Sequence, residues 1–247
     1  MRRSSGPRSG SLRTLALSVG LICLGACASV PVDPFAVPLE EISEKQRGKV
    51  TGVLADVAAV VPIGASEVRS RLEIYDFLLE EMPFTGGVVK ELGRGDWDIF
   101  RDPEKPEREV FFVIDPQGYR LRFELVYRDV TRRFYVSRGV FNMGLLPALE
   151  GRTLVIMRAV PEGGIVRTDA KVYVRVDTAL YAKMARVAKE ALEHRVREKS
   201  EYFLQAARWV AEEAAQRPDW LYMQVKGSGK VDQEVLEEFR RRFLPGR

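Results

Sequence analysis

The fold is decided by residues 163–176, which read GGIVRTDAKVYVRV. Every second residue from Val166 to Val176 is small or β-branched, whereas most of the residues between them are charged or polar. A period of two with one apolar face predicts a β-strand that is buried on one side only. Such a strand is typical of an antiparallel sheet that packs one face on a core.

A long helix is predicted directly after this strand. Asp177 or Thr178 can cap its N-terminus, and no Pro or Gly follows until Pro218. Two apolar stripes at helical spacing lie on it, Leu180, Met184, Val187 and Ala191 and then Phe203, Ala207, Val210 and Ala214.

The two stripes are out of phase across residues 195–201. A single rod from residue 179 to Gln216 would span roughly 57 Å at the rise of an α-helix, whereas a domain of this size is about 40 Å across. We therefore expect the helix to bend or break between Arg195 and Glu201.

The segment before the strands predicts a first strand and two helices. Residues 50–61 are apolar and favour a strand over a helix. Ser66 can cap the next helix, whose stripe runs from Val68 to Met82 and ends at Pro83. A second short helix is expected over residues 85–92, with Gly93 just past its end.

Six strands are expected after these helices. The clearest alternates Tyr119, Leu121, Phe123, Leu125 and Tyr127 on one face with charged residues on the other. The full set covers residues 97–99, 108–115, 119–127, 132–138, 152–160 and 165–176. The order is thus one strand, two short helices, six strands and a long helix.

This order resembles the helix-grip fold of the START-like (SRPBCC) superfamily, and the segment from Leu180 to Ala214 is similar to the end of many bacterial members. The resemblance implies an α+β domain in which a curved antiparallel sheet of about seven strands wraps around the C-terminal helix. It also implies an apolar cavity between the two, because most START-like members bind hydrophobic ligands there. It carries no catalytic motif.

The N-terminus reads as an export signal. Arg2, Arg3, Arg8 and Arg13 precede an apolar run over residues 15–26 that is short for a membrane-spanning helix. The run ends in Leu24-Gly25-Ala26-Cys27, which resembles a bacterial lipobox. That resemblance implies cleavage before Cys27 and acylation of its thiol and amine. The alternative is ordinary cleavage after residues 26–28, which would leave a soluble periplasmic protein.

The residue after Cys27 is Ala28, not the aspartate that is associated with inner-membrane retention. The resemblance therefore favours an outer-membrane lipoprotein that faces the periplasm. We expect four regions: a signal peptide over residues 1–26, a lipid-anchored tether over 27–49, the helix-grip domain over 50–216 and a C-terminal extension with a short helix over 217–247.

Composition excludes several other classes of function. The net charge is +4, but the leader contributes four arginines and no acid, so the remainder is neutral and nucleic-acid binding is not indicated. The two cysteines lie in or at the end of the leader and His194 is the single histidine, so no disulfide framework and no Cys/His zinc site is expected. No metal, cofactor or catalytic residue is predicted.

Candidate ligand-binding residues follow from the expected cavity. They are Tyr119, Leu121, Phe123, Leu125, Tyr127, Arg158, Ala170, Val172, Val174 and Met184, with Phe141, Leu145 and Leu146 in a loop at its mouth. The loop is either a packed Ω-like segment or a mobile lip. Arg158 either points inward to a ligand head group or lies outside, with Val155 and Met157 facing in.

Three functions remain open on these grounds. The protein binds or carries a hydrophobic ligand, with a lipid as the favoured class, in a pocket on the order of several hundred Å³. Alternatively, polar residues in the cavity catalyse a cyclase- or hydrolase-type reaction. The third interpretation is a solid-cored module for interactions in the cell envelope. A continuous cavity would disfavour the third interpretation, and converging polar residues within it would favour the second.

Overall fold

The computed structural model describes residues 33–104, 109–141, 148–178, 182 and 189–244. The segment Val37–Arg247 forms one compact unit. Met1–Ala36 is assigned to a separate unit, of which residues 33–36 are described. The proposed leader, Cys27 and the first part of the proposed tether lie outside the described residues.

Seven strands form a single antiparallel sheet. They are β1 (Ala59–Val68), β2 (Asp98–Arg101), β3 (Val110–Ile114), β4 (Arg120–Arg128), β5 (Arg132–Phe141), β6 (Leu149–Glu162) and β7 (Ile165–Val176). Their order across the sheet is β1-β7-β6-β5-β4-β3-β2. The first strand therefore pairs with the last, and β2 to β7 follow one another as a meander.

Six helices accompany the sheet within the described part of the chain. They are α1 (Glu44–Leu54), α2 (Leu72–Glu80), α3 (Met82–Glu91), α4 (Lys189–Gln216), α5 (Pro218–Val225) and α6 (Gln233–Phe243). The helices α2 and α3 follow β1, and the long helix α4 follows β7, as the sequence predicts. This arrangement is a helix-grip fold.

The alternation in β7 has the predicted effect on burial. Val166, Ala170, Val172 and Val174 are almost completely buried in the main core. The core also contains Val210, Ala211 and Ala214 of α4. We call the side of the sheet that these β7 residues occupy the inner face, because α4 and the cavity described below lie on it.

The prediction of a strand over residues 50–61 was wrong for its first half. Residues 44–54 form α1, and β1 begins at Ala59. Val50 and Val53 are buried while their neighbours are exposed or partly exposed, which is the three-residue spacing of one helical face. Ser66 is likewise no helix cap, because it lies in β1 opposite Thr168, and α2 starts at Leu72.

Helix α1 packs on the outer face of the sheet, where it contacts β4, β6 and β7. Val50 and Val53 are fully buried there. The outward-pointing residues Phe134, Leu154 and Ile156 are buried as well. A second, smaller apolar layer therefore lies on the side of the sheet away from the cavity.

The expected break in the long helix is absent, because α4 runs without interruption from Lys189 to Gln216. The predicted start of this helix, except for Ala182, lies outside the described residues. The gap between its apolar stripes has another cause. The residues between Val196 and Ala206 cover the cavity and its rim, so they need not present the close-packed stripe that a solid core requires.

The C-terminal segment forms two helices, α5 and α6, rather than one. Phe239 of α6 is fully buried, and its ring lies 5.8 Å from Phe84 and 5.9 Å from Phe77 between centroids. This segment therefore completes the core around α2 and α3.

Candidate functional site

A cavity of about 160 Å³ lies between the inner face of the sheet and α4. The sheet contributes Phe111, Val113, Leu121, Phe123, Tyr135, Val155, Met157, Ala170 and Val172, and Tyr119 precedes β4. Helix α4 contributes Lys199, Ser200, Phe203 and Leu204, and the remaining lining residues are Met82, Trp97 and Asp115. The wall is thus predominantly apolar, as a site for a hydrophobic group requires.

Five of the predicted ligand-binding residues line this cavity: Tyr119, Leu121, Phe123, Ala170 and Val172. The side chains of Leu121 and Phe123 face the cavity because β4 alternates as the sequence predicts. Ala170 and Val172 lie on β7, and β6 and β5 separate that strand from β4. Their small side chains leave the volume that larger residues would fill. The volume is nevertheless smaller than the several hundred Å³ expected.

Two predicted residues belong to the close-packed core beside the cavity. Val174 is buried in the main core, and Leu125 is partly buried and packs against that core. Neither residue lines the cavity. Both lie one alternation beyond a lining residue, Phe123 on β4 and Val172 on β7. The cavity therefore ends along each strand before these positions.

Tyr127 lies on the outer face, so its prediction as a ligand-binding residue was wrong. The pairing of β4 with β5 shifts register between Leu125 and Tyr127, and such a shift changes the face on which a side chain lies. The Tyr127 ring packs 5.0 Å from that of Phe134, and its hydroxyl donates a hydrogen bond to Glu41 at 2.5 Å.

Arg158 also lies outside the cavity, which corrects the inward interpretation and confirms its alternative. Its Nε donates to Asp169 Oδ1 at 2.9 Å across the neighbouring strand. Val155 and Met157 face inward instead and line the cavity. The charged pair stays on the outer face because burying it among apolar side chains would cost the hydration of both ions.

The predicted mouth loop is described only at its edges. Phe141 ends β5 and is buried, with its ring edge-to-face on Tyr119 at 6.4 Å between centroids. Leu145, Leu146 and Met184 lie outside the described residues. Phe141 therefore packs against Tyr119. The placement of Leu145 and Leu146 at the mouth of the cavity stays a prediction.

Sequence reasoning missed most of the aromatic and helical lining. Trp97 precedes β2, where its ring stacks on that of Phe203 at 5.1 Å and meets Tyr202 edge-on at 4.8 Å. Phe203 begins the second apolar stripe of the predicted helix, but a stripe alone does not tell a residue that lines a cavity from one in a close-packed core.

Polar groups converge at one end of the cavity. Lys199 Nζ of α4 donates to Asp115 Oδ2 at 2.5 Å, and it lies 5.2 Å from the ring centroid of Tyr119. The carboxylate of Asp115 lies at the turn between β3 and β4. The pair therefore links the sheet to the long helix at the edge of the cavity.

A second cavity of about 280 Å³ adjoins the first. It shares Trp97, Asp115 and Lys199 with the first cavity. Its other walls are polar or exposed, namely Asp96, Pro116, Gln117, Glu198 and Tyr202. We call it the outer cavity; the ion pair of Asp115 and Lys199 stands between it and the apolar one.

The hydroxyl of Tyr119 is buried and has no hydrogen-bond partner among the residues that the structure describes. Burial raises the pKa of Tyr119, and the nearby charge of Arg195 only partly opposes this effect. The hydroxyl therefore stays protonated at neutral pH and keeps a hydrogen to donate. A buried donor without an acceptor is costly, so it marks a place where a polar ligand atom would relieve that cost.

The part of the chain that the structure describes contains no cluster of three or more His, Cys, Asp or Glu residues suited to a metal ion. Across the same residues, no helix combines the length and the apolar composition needed to cross a membrane.

No protein-family model matches the chain, and no curated protein matches it. Several solved structures are similar. The crystal structure of Ara h 8.0201 shares 13% identity at a TM-score of 0.44, covering 62% of this chain and 98% of that one. The protein TTHA0849 from Thermus thermophilus shares 11% identity at a TM-score of 0.33, with coverage of 64% and 99%.

The di-domain ARO/CYC BexL from the BE-7585A biosynthetic pathway shares 16% identity at a TM-score of 0.42. The alignment covers 67% of this chain and 53% of BexL, so the chain spans about half of that protein. The strand order and the antiparallel register are those of a helix-grip fold.

Proposed function

We propose that the protein binds a hydrophobic ligand in the apolar cavity and carries it in the bacterial cell envelope, where a lipid on Cys27 anchors it to the outer membrane. The cavity is the observation that carries the proposal. Protein interiors are normally packed without voids of this size, and Ala170 and Val172 leave space where the facing strands provide large aromatic residues.

The size of the cavity limits the part of the ligand that it can enclose. A dry cavity of about 150 Å³ holds a molecule such as benzene, and the apolar cavity measures about 160 Å³. The enclosed group is therefore a single ring or a short alkyl segment. A polycyclic lipid is too large for the cavity as it stands, and a longer ligand would extend into the outer cavity.

The anchor is supported by the sequence of the leader alone. The arginine-rich start, the apolar run and Leu24-Gly25-Ala26-Cys27 follow one another in the order of a lipoprotein signal. Two or more acyl chains give stable membrane attachment. The protein would thus hold its ligand site in the periplasm next to the inner leaflet of the outer membrane.

Calorimetric binding of toluene and 1-octanol tests the ligand proposal. Both are uncharged: the ring of toluene suits the apolar cavity, and 1-octanol can place part of its chain there and the rest in the outer cavity, so we expect the wild-type protein to bind both. Ala170→Trp should abolish binding because the indole occupies the cavity. The matched control is Tyr173→Trp, which changes a side chain on the outer face of the same strand and should bind as the wild type does.

Two outcomes would contradict the proposal: no binding of either compound to the wild-type protein, or equal binding to Ala170→Trp. If Ala170→Trp does not fold, Ala170→Met replaces it, because an unbranched side chain fills space with less strain. If Ala170→Met bound toluene and 1-octanol as tightly as the wild type does, binding would not depend on this cavity. A solid-cored interaction module would then be the better interpretation.

A further inference from the structure

The two residues of the ion pair at the edge of the cavity, Asp115 and Lys199, differ in how firmly the rest of the protein holds them. Asp115 is held independently of Lys199, since its Oδ1 accepts hydrogen bonds from the backbone N–H groups of Gln117 at 2.8 Å and Tyr119 at 3.1 Å. Its side chain is 6% exposed, and that of Lys199 is 21% exposed. The carboxylate is thus fixed by the turn, whereas the ammonium is at the end of a flexible side chain.

Lys199 can therefore exchange partners without unfolding the turn. Asp115 would keep both backbone hydrogen bonds if the ammonium moved to another anion. Lys199 also lines both cavities, and Phe203 and Leu204 line the apolar one with it, so an anionic group bound to the ammonium would lie beside the apolar wall.

The unpartnered hydroxyl of Tyr119 lies near the same end of α4. The charges that act on its pKa belong to Arg195, Asp115 and Glu198, and the Lys199 ammonium is 5.2 Å from its ring. An oxygen acceptor that approached Lys199 could take a hydrogen bond from this hydroxyl, and no bond of the hydroxyl to another described residue would be broken.

The other charges nearby surround the outer cavity rather than the apolar one. Glu198 is paired with Arg195 at 2.8 Å, and Asp96 is exposed. Neither carboxylate lines the apolar cavity. Lys199 is thus the one cation among the described lining residues, and Asp115 is the anion that an entering acid must replace.

We infer that the ligand is an amphiphilic acid, whose carboxylate binds Lys199 and Tyr119 while its short alkyl or ring portion enters the apolar cavity. This inference rests on the proposed function and specifies its ligand class. The carboxylate takes the ammonium from Asp115, which remains held by its turn.

Binding of three compounds with the same eight-carbon chain tests the head group: octanoate, 1-octanol and octylamine. Octanoate should bind the wild-type protein about tenfold more tightly than 1-octanol, as expected for a charged hydrogen bond in a partly buried site. Lys199→Met should remove this advantage, so that octanoate binds no more tightly than 1-octanol does to the same variant. Lys189→Met, at the exposed start of α4, is the matched control and should keep the advantage of octanoate.

Two further variants separate the contributions of the partners. Asp115→Asn keeps an oxygen for the turn but removes the competing charge, so the affinity for octanoate should rise and that for 1-octanol should not. Tyr119→Phe should weaken octanoate binding by a smaller factor than Lys199→Met, because a neutral hydroxyl contributes less than an ammonium.

The outcomes distinguish this inference from the function on which it rests. If 1-octanol binds but octanoate binds no better, or if octylamine binds most tightly, the head-group assignment is wrong and the cavity remains a ligand site. If all three compounds fail to bind, the cavity proposal fails and the assignment falls with it.

Discussion

Lys49 on α1 donates a hydrogen bond to Glu124 on β4 at 2.5 Å, and this contact joins α1 to the outer face of the sheet. Gln46, one turn earlier on the same helix, donates to the same carboxylate oxygen at 2.9 Å. The Glu124 side chain is 14% exposed. A segment that the sequence suggested to be tether and strand is thus attached to the domain by a partly buried carboxylate.

Acid should weaken this attachment. Burial acts to raise the pKa of Glu124, but hydrogen bonds from Lys49 and Gln46 outweigh it and hold the pKa below its usual range. A lowered folded-state pKa gives stability that is present above the unfolded value, about 4.3, and is lost as the pH falls through the folded value. Glu124→Gln should therefore cost about 1 kcal/mol of unfolding free energy at pH 7, and this cost should decrease as the pH falls toward pH 3.

Urea denaturation of the wild type and the variant between pH 3 and pH 7 measures this difference. Glu40→Gln is the control, since Glu40 is exposed and precedes α1. A cost for Glu124→Gln that stays constant over this pH range would show that the carboxylate charge is not what secures α1.

Four arginines form a row across the outer face of the sheet. Arg122 pairs with Arg138, Arg138 with Arg152 and Arg152 with Arg175, each directly across neighbouring strands. Arg122 binds Asp102 at 2.8 Å, and Arg152 binds Asp177 at 2.5 Å. Among the described residues, no carboxylate lies within ion-pairing distance of Arg138, which stands between them.

Replacing Arg138 should stabilise the protein, because like charges directly opposite in a sheet repel each other. We expect Arg138→Gln to raise the free energy of unfolding by about 0.5 kcal/mol at low ionic strength, with a smaller gain in 0.5 M salt as screening weakens the repulsion. Arg122→Gln should act in the opposite direction, because it leaves the buried Asp102 without this partner. A loss of stability in Arg138→Gln would mean that the row is favourable as it stands.

The anchor prediction concerns Cys27. Cys27→Ser should abolish incorporation of labelled palmitate and move the protein from the membrane to the soluble fraction, since the acyl chains contribute about 0.8 kcal/mol per buried CH₂. Cys23→Ser is a control within the same leader and should be lipidated normally, because Cys23 lies inside the apolar run. Label in the Cys27→Ser protein, or none in the wild type, would refute the lipoprotein assignment.

Local patterns were sufficient for most of the fold. The alternation in residues 165–176 and 119–125 predicted strands and their buried faces, because a period of two leaves little choice of face once one side is apolar. The same logic placed Ala170, Val172, Leu121 and Phe123 toward the helix. It failed at Tyr127, where a shift of register reverses the side that the residue occupies.

The sequence by itself determined β2 to β7, the two short helices and the long helix, because each depends on the spacing of nearby residues, whereas the lipobox-like leader stays a prediction. Only the tertiary structure decided that α4 continues through residues 195–201 and that α1 covers the outer face. It also brought Asp115 and Lys199, which are far apart in the chain, to 2.5 Å at the edge of the cavity. A contact between residues so far apart in the chain depends on how the sheet packs against the helix, and the spacing of neighbouring residues does not predict it.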